Sequence, residues 1–516
     1  MTNLQTAPIF SDNMVVQRDV DVPVWGTGVE GKTVMVSFGD GKAAGATTGK
    51  AQAVVRNGEW RCSLPPQNAG VAGSLRVSDG SDEICFKNVI AGDVWLAGGQ
   101  SNMELELQNC LNGKEELAIC ANPNIRIYQA VKQAIVDDEL LKAERNNGWN
   151  ICAPDTAGAM SAVAYFFARK VVAETNVPIG IIGCNWGGTS ISCWMSEEQL
   201  QRNRAGQKCL DDYAALIGDK TDEQWNAEME AYFTDWRAWD ARIQARRALD
   251  PTVGWETLNA ECGECPWPQP AGRKSPYCPT NLYHSMIRRV VPFALKGFLY
   301  YQGEEDWSRA GDYAELMCLL IAQWRRDWSD GKMPFLFAQL PMYASKSEFD
   351  AGLENSKEWC VIQENQYKAS QFVANTGMAV TIDCGEFDNI HPLDKQTVGF
   401  RLALQALKKV YGKDVAADGP IFRRAVNEGG AIRVYFANAE IGLESRGVLE
   451  GFEVAGEDGR YYKADARIEG GTALVSSVAV AVPTRARYAW IKWGPTPLYA
   501  KNGLPAMPFR SCEADL

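Results

Sequence analysis

Apolar and polar positions change rhythm along this chain. Up to about residue 90, short alternating runs are divided by Gly- and Asp-rich turns: Val22-Pro23-Val24-Trp25, Thr33 to Phe38, Gly58 to Leu64 and Ser74 to Val77. Alternation at this spacing predicts the strands of a β-sandwich. No helical period of useful length crosses that segment. From Asp93 the apolar runs become continuous: Val94 to Ala97, Pro178 to Gly183, Leu295 to Tyr301, Pro334 to Leu340 and Ala379 to Asp383. Stripes at helical spacing lie among them, as in Val163, Phe166, Phe167 and Val171, in Tyr313, Leu316, Met317, Leu320 and Trp324, and in Gly399, Leu402, Ala403, Ala406, Leu407 and Val410. Strands alternating with such helices predict a parallel sheet covered on both faces, with its site at the carboxyl ends of the strands.

A polar stretch from Ser196 to Tyr277, dotted with Trp225, Trp236, Trp239, Trp255 and Trp267, predicts a largely helical insertion that ends in a Pro-rich loop. Strand patterns return at Ile432 to Phe436 and Ala473 to Ser477. The length of 516 residues suits about three domains. The expected organisation is an N-terminal β-sandwich domain over 1–91, an α/β domain over 92–415 with the insertion at about 196–280, and a C-terminal β domain over 416–516.

Composition narrows the function by exclusion. Apolar residues make up 46% and charged residues 22%, the balance of a soluble globular chain. A net charge of −12 without a basic cluster argues against nucleic acid and anionic membranes, which need concentrated Lys and Arg. No segment is long and apolar enough to span a bilayer. Met1 to Gln5 lacks the charged start and apolar stretch of a signal peptide, which predicts a cytoplasmic chain as written, or an exported one with a trimmed leader. The fifteen Cys, an odd number scattered through apparent core segments as in Cys184, Cys318 and Cys384, predict free buried thiols in a reducing compartment. None of this fixes an oligomeric state.

The chain holds two histidines. His391 sits in Asp388-Asn389-Ile390-His391-Pro392, after an expected strand and before a helix that starts near Asp394. An Asp three residues earlier can turn back to accept the Nδ1 proton, leaving Nε2 free as a base. His284 lies in Tyr283-His284-Ser285-Met286-Ile287, at the expected start of a helix, where a packed or surface role is the plainer reading. The best-placed nucleophile is Ser101, in Gly98-Gly99-Gln100-Ser101-Asn102-Met103. It follows the first parallel strand and opens an expected helix, which exposes its Oγ and sets its N–H at a positive helix end. Asn185-Trp186-Gly187-Gly188-Thr189-Ser190 and Tyr301-Gln302-Gly303-Glu304 follow the next two strands. They offer glycine N–H groups and a side-chain amide as donors for an oxyanion, the requirement of acyl transfer.

Gly99-Gln100-Ser101-Asn102-Met103, Trp186-Gly187-Gly188-Thr189, Tyr301-Gln302-Gly303-Glu304 and Ile390-His391-Pro392, through Lys395 and Gly399 to Arg401-Leu402-Ala403, resemble the four conserved blocks of the sialate O-acetylesterase family of SGNH hydrolases. The opening Ile9 to Arg18 with Pro23 to Gly26, and the stretches Gly451 to Gly456, Arg487 to Trp490 and Gly503 to Arg510, look like that family's terminal regions. The resemblance covers nearly the whole chain, least the insertion.

It implies a three-layer α/β/α hydrolase core and an acyl-enzyme route that needs no cofactor and no metal. The partner would be an acetylated carbohydrate, most simply an O-acetylated sialic acid. It implies Ser101 as nucleophile, His391 as base and Asp388 as its acid partner. The N–H groups of Ser101 and Gly188 and the amide of Gln302 would form the oxyanion hole. Gly187, Glu304, Asn102 and Trp186 would support the site or touch substrate, Glu304 by bracing the loop that carries Gln302.

Several alternatives stay open. Asp383 competes with Asp388 as the acid, and His284 stands where the family often has Asn. Cys262, Cys265, Cys278 and His284 have spacings that a structural zinc uses. A plant-glycan acetylesterase would carry the same blocks. An inactive carbohydrate-binding protein would not need them.

Overall fold

The computed structural model describes residues 4–39, 49–250, 253–352 and 356–512; Met1 to Asn3, read above for a leader, lie outside them. The core is a seven-stranded run within a larger mixed sheet. Its strands are β1 (Glu83–Gly99), β2 (Asn122–Gln129), β3 (Asn150–Cys152), β4 (Ile179–Asn185), β5 (Gly297–Tyr301), β6 (Phe335–Ala338) and β7 (Thr376–Ala379). Their order is β3-β2-β4-β1-β5-β6-β7, parallel except for β3 at the edge. β4 and β5 are buried along their whole length, which is why they read as continuous apolar runs.

The longer helices and the short one after β1 are α1 (Ser101–Glu104), α2 (Ala162–Thr175), α3 (Arg204–Ile217), α4 (Asp222–Leu249), α5 (Trp255–Cys262), α6 (Tyr313–Asp327), α7 (Glu358–Phe372) and α8 (Lys395–Lys409). The Ser161 hydroxyl caps α2 by accepting from Ala164 N–H, and the Asp394 carboxylate caps α8 by accepting from Thr397 N–H. Here α2 and α8 pack so closely that a Cβ on Gly399 would lie 2.6 Å from the Val163 carbonyl oxygen. The stretch from Ser196 to Tyr277 holds α3, α4 and α5.

β1 is 17 residues long. Its first half pairs antiparallel with Ala72–Ser78 of the N-terminal sandwich and its second half pairs parallel with β4 and β5. The expected boundary between residues 91 and 92 therefore falls inside one continuous strand. Arg18 clamps this crossing with a two-point ion pair to buried Asp93. Between Ile421 and Arg510 the chain forms antiparallel sheets around a second core that includes Val434, Val454, Val475 and Tyr488.

Two local expectations differ from what forms. β2 was not anticipated, because Asn122-Pro123-Asn124 and Arg126 interrupt its apolar pattern; buried Arg126 donates to the carbonyls of Asn13 and Asn88. The strand expected at Ala379 to Asp383 lies earlier, at Thr376–Ala379, and Ile382–Cys384 forms a short 3-10 turn. Among the described residues, no helix is long and apolar enough to cross a membrane.

Candidate active site

The strand order reverses direction at β1, with β4 on one side and β5 on the other. In an open α/β sheet such a switch point, at the carboxyl ends, is where a crevice opens. Gly99 of β1 is in register with Asn185 of β4 and Tyr301 of β5. The three loops carrying Ser101, Gly187-Gly188 and Gln302 thus leave the sheet abreast. Gln100 joins two of them, its N–H donating to Tyr301 O at 3.0 Å and its Oε1 accepting from Gly303 and Glu305.

Ser101 is the first residue of α1. Its Cβ lies against the second loop, 3.2 Å from where a Cβ on Gly187 would stand. Gly187 N–H donates to Glu104, which also pairs with Lys132. That leaves the N–H groups of Ser101 and Gly188, which have no acceptor among the described backbone hydrogen bonds. Gly188 has φ of +71°, and a Cβ there would meet the Trp267 indole at 2.2 Å, so only glycine fits. Trp186 forms the flank of this loop, with the Lys132 ammonium 5.8 Å from its ring centre.

His391 arrives from the segment after β7. Glu386 shapes that loop, accepting from the Asn389 amide at 2.7 Å and from Leu393 N–H at 2.6 Å, while Asn389 Oδ1 accepts His391 N–H at 3.0 Å. Asn102 ties this loop to the serine turn. Its amide donates to Glu304 Oε1 at 2.6 Å and to the Ile390 carbonyl at 2.9 Å, and its Oδ1 accepts from Lys395. Asn102, Glu304 and Lys395 are all buried.

Burial raises the Glu304 carboxyl above its ordinary range although Asn102 and Lys395 oppose it. Burial pushes the Lys395 ammonium down to about 8. His391 is pushed down to about 4, by burial first and by the Lys395 charge second. The imidazole is therefore held neutral, the form a general base needs.

Three expected roles meet different geometry. Gln302 was expected to donate to an oxyanion. Its Nε2 instead donates to Thr189 O at 3.1 Å and Asp306 Oδ2 at 2.6 Å, and its Oε1 accepts from Tyr313 at 2.8 Å. Both amide protons are engaged inside the protein, so Gln302 braces the glycine loop. Glu304 was expected to brace the Gln302 loop and bonds Asn102 instead. Asp388 was expected to accept from His391. Its Oδ1 accepts Lys346 N–H at 2.8 Å and its Oδ2 faces Asn259 at 3.5 Å. Asp383 is held by Arg401 and by the Tyr499 hydroxyl at 2.9 Å.

His284 lies exposed on a π-helical turn. Cys262 packs into the α4–α5 core while Cys265 is exposed, and no group of three His, Cys, Asp or Glu residues suited to a metal occurs among the described residues. Sequence reasoning missed two contributors, Lys395 and Asp306. Buried Asp306 accepts from Ser190 Oγ and Ile191 N–H, both at 2.8 Å, and fixes the end of the glycine loop. Lys395 stands in the His391 block and Asp306 closes the stretch from Tyr300 through Gln302, but neither received a role from the sequence.

Residues 91–237 and 267–408 match the family profile described as carbohydrate esterase, sialic acid-specific acetylesterase. The chain belongs to that family. It is a carbohydrate esterase, a carboxylic ester hydrolase, with an acetylated carbohydrate as the implied substrate class. Sialate O-acetylesterase of Mus musculus is 28% identical over 443 residues, covering 80% of this chain and 75% of that protein. The Homo sapiens sialate O-acetylesterase is 25% identical, covering 98% of this chain and 91% of its own. A carbohydrate acetylesterase from Xanthomonas citri, known by crystal structure, superposes with a TM-score of 0.75 at 30% identity over 99% of both chains. The esterase thus shares its architecture with that structure from end to end, including both β regions.

Proposed function

We propose that this esterase removes O-acetyl groups from sialic acids through an acetyl-enzyme on Ser101. The observation that carries the reading is the buried Asn102 bridge, which fixes the Ser101 turn against the carbonyl that precedes His391. Ser101 Oγ attacks the acetyl carbonyl while His391 Nε2 takes its proton. The N–H groups of Ser101 and Gly188 receive the negative charge that develops on the carbonyl oxygen. Collapse of the tetrahedral intermediate breaks the bond to the sugar oxygen, which leaves as the alcohol with the proton from His391. Water, deprotonated by His391, then releases acetate and restores Ser101.

Asp388 completes the triad when its side chain turns from Lys346 to His391 Nδ1, since catalytic hydrogen bonds often tighten only with substrate bound. Gln302 acts through the loop it braces. Residues 92–415 carry the chemistry and the two β regions flank it.

The names of the mammalian relatives favour a sialate, whereas the Xanthomonas citri protein is described only as a carbohydrate acetylesterase. Acetate release from O-acetylated sialic acid and from acetylated xylan, measured side by side, tests the substrate. Preference for the sialate supports the reading. Preference for xylan keeps the chemistry and replaces the substrate by a plant glycan.

A further inference from the structure

The aromatic residues of the insertion form a ladder. Trp225, Tyr232 and Trp239 recur every seven residues on α4, two helical turns apart, and so share one face. Each polar tip donates to a main-chain carbonyl of the loop after α5. Trp239 Nε1 reaches Gly263 at 2.8 Å, the Tyr232 hydroxyl reaches Pro266 at 2.9 Å, and Trp225 Nε1 reaches Pro270 at 3.0 Å. The loop therefore runs antiparallel to the helix. Its prolines have no N–H to pair, so these side chains satisfy carbonyls that no secondary structure would.

This ladder presents Trp267 to the active site. The indole lies over Gly188, where an added Cβ would fall within 2.2 Å of it, and meets Tyr277 edge to face with centroids 5.2 Å apart. Trp267 is nonetheless 47% exposed, while Trp194 and Trp239 are buried. A large indole whose rim abuts the glycine loop and which stays half exposed is not explained by core packing. The family profile passes over 238–266, the end of α4 and all of α5. That same segment leads into Trp267 at the glycine loop, and its Asn259 approaches Asp388 in the His391 loop.

We propose that Trp267 is the platform for the pyranose ring whose acetyl ester enters at Ser101, so that the insertion sets sugar selectivity. This rests on the assignment of Ser101. The apolar face of a pyranose stacks on an indole, and nearby polar groups fix its orientation. The platform sits beside Gly188, the proposed oxyanion donor, so a stacked ring brings its ester carbonyl to the nucleophile.

The test compares kcat/KM for O-acetylated N-acetylneuraminic acid with that for ethyl acetate, which has no ring to stack. The ratio of the two is measured in wild type, Trp267→Ala and Trp267→Phe, each checked for folding by thermal melting. The ratio falls about tenfold or more in Trp267→Ala, through KM for the sugar, and Trp267→Phe restores most of it. A ratio within about twofold of wild type in Trp267→Ala overturns the platform. Ethyl acetate turnover that survives Ser101→Ala would overturn the nucleophile assignment instead, so the two failures are distinct.

Discussion

The side-chain amide of Asn102 donates to the Ile390 carbonyl at 2.9 Å, joining the residue after the proposed nucleophile to the residue before the proposed base. The two positions are 288 residues apart in the chain. Asn102 touches no reacting atom in the proposed route; it positions both partners. Asn102→Ala should lower kcat by about 10- to 100-fold with little change in KM, because misplacing reacting groups slows chemistry. It should also cost about 1–3 kcal/mol of stability, since it strips buried Glu304 and Lys395 of a partner. Steady-state kinetics and urea unfolding check both; an unchanged kcat would remove Asn102 from the account.

His391 is pushed down to about 4 by burial and by Lys395. A base works deprotonated, so kcat/KM should hold from neutral pH downward and fall only as pH approaches 4. Lys395→Met removes the nearby positive charge, lets the imidazolium form more easily, and should move the acid limb to higher pH. A pH–rate profile with its limb at the ordinary histidine value in wild type would contradict this.

Gly188→Ala should reduce kcat by on the order of 100-fold, the scale of losing one oxyanion donor. Its φ of +71° disfavours any Cβ, and the Trp267 indole occupies the space. The loop must shift, carrying its N–H with it. Circular dichroism should show a folded protein; wild-type kcat would mean that Gly188 holds no developing charge.

The two candidate acids separate by their partners. Asp383 meets Arg401 at two points and also accepts from Tyr499, and although burial opposes it, Arg401 holds its carboxyl below the ordinary range. Asp383→Asn should therefore destabilise the fold, by about 3 kcal/mol or more, as a broken buried pair does. Asp388→Asn should lower kcat by about tenfold or more without that loss, since the acid orients the base. A silent Asp388→Asn beside a folded, inactive Asp383→Asn would transfer the role.

What the sequence made legible was local. Ser101 and His391 stood out because each lies in a short block between a strand and a helix, and the sheet that aligns those blocks follows from continuous apolar runs. Contacts across the fold were not legible. Asn102 and Lys395 are 293 positions apart, and nothing near either names the other. The partners of the Gln302 amide, Thr189 and Asp306, were hidden for the same reason. β2 was hidden by Pro123, which lies exposed near its start, and by Arg126, which is buried where it donates to the carbonyls of Asn13 and Asn88. That one strand serves two sheets, across the boundary expected between residues 91 and 92, was likewise not legible.

The most direct test of the central claim is acetate release from O-acetylated sialic acid by wild type and by Ser101→Ala, with thermal melting to show both are folded. Loss of turnover by about 10⁴-fold is expected, since the nucleophile and base act as a unit. A folded Ser101→Ala variant that keeps turnover within about tenfold of wild type would contradict the acetyl-enzyme route.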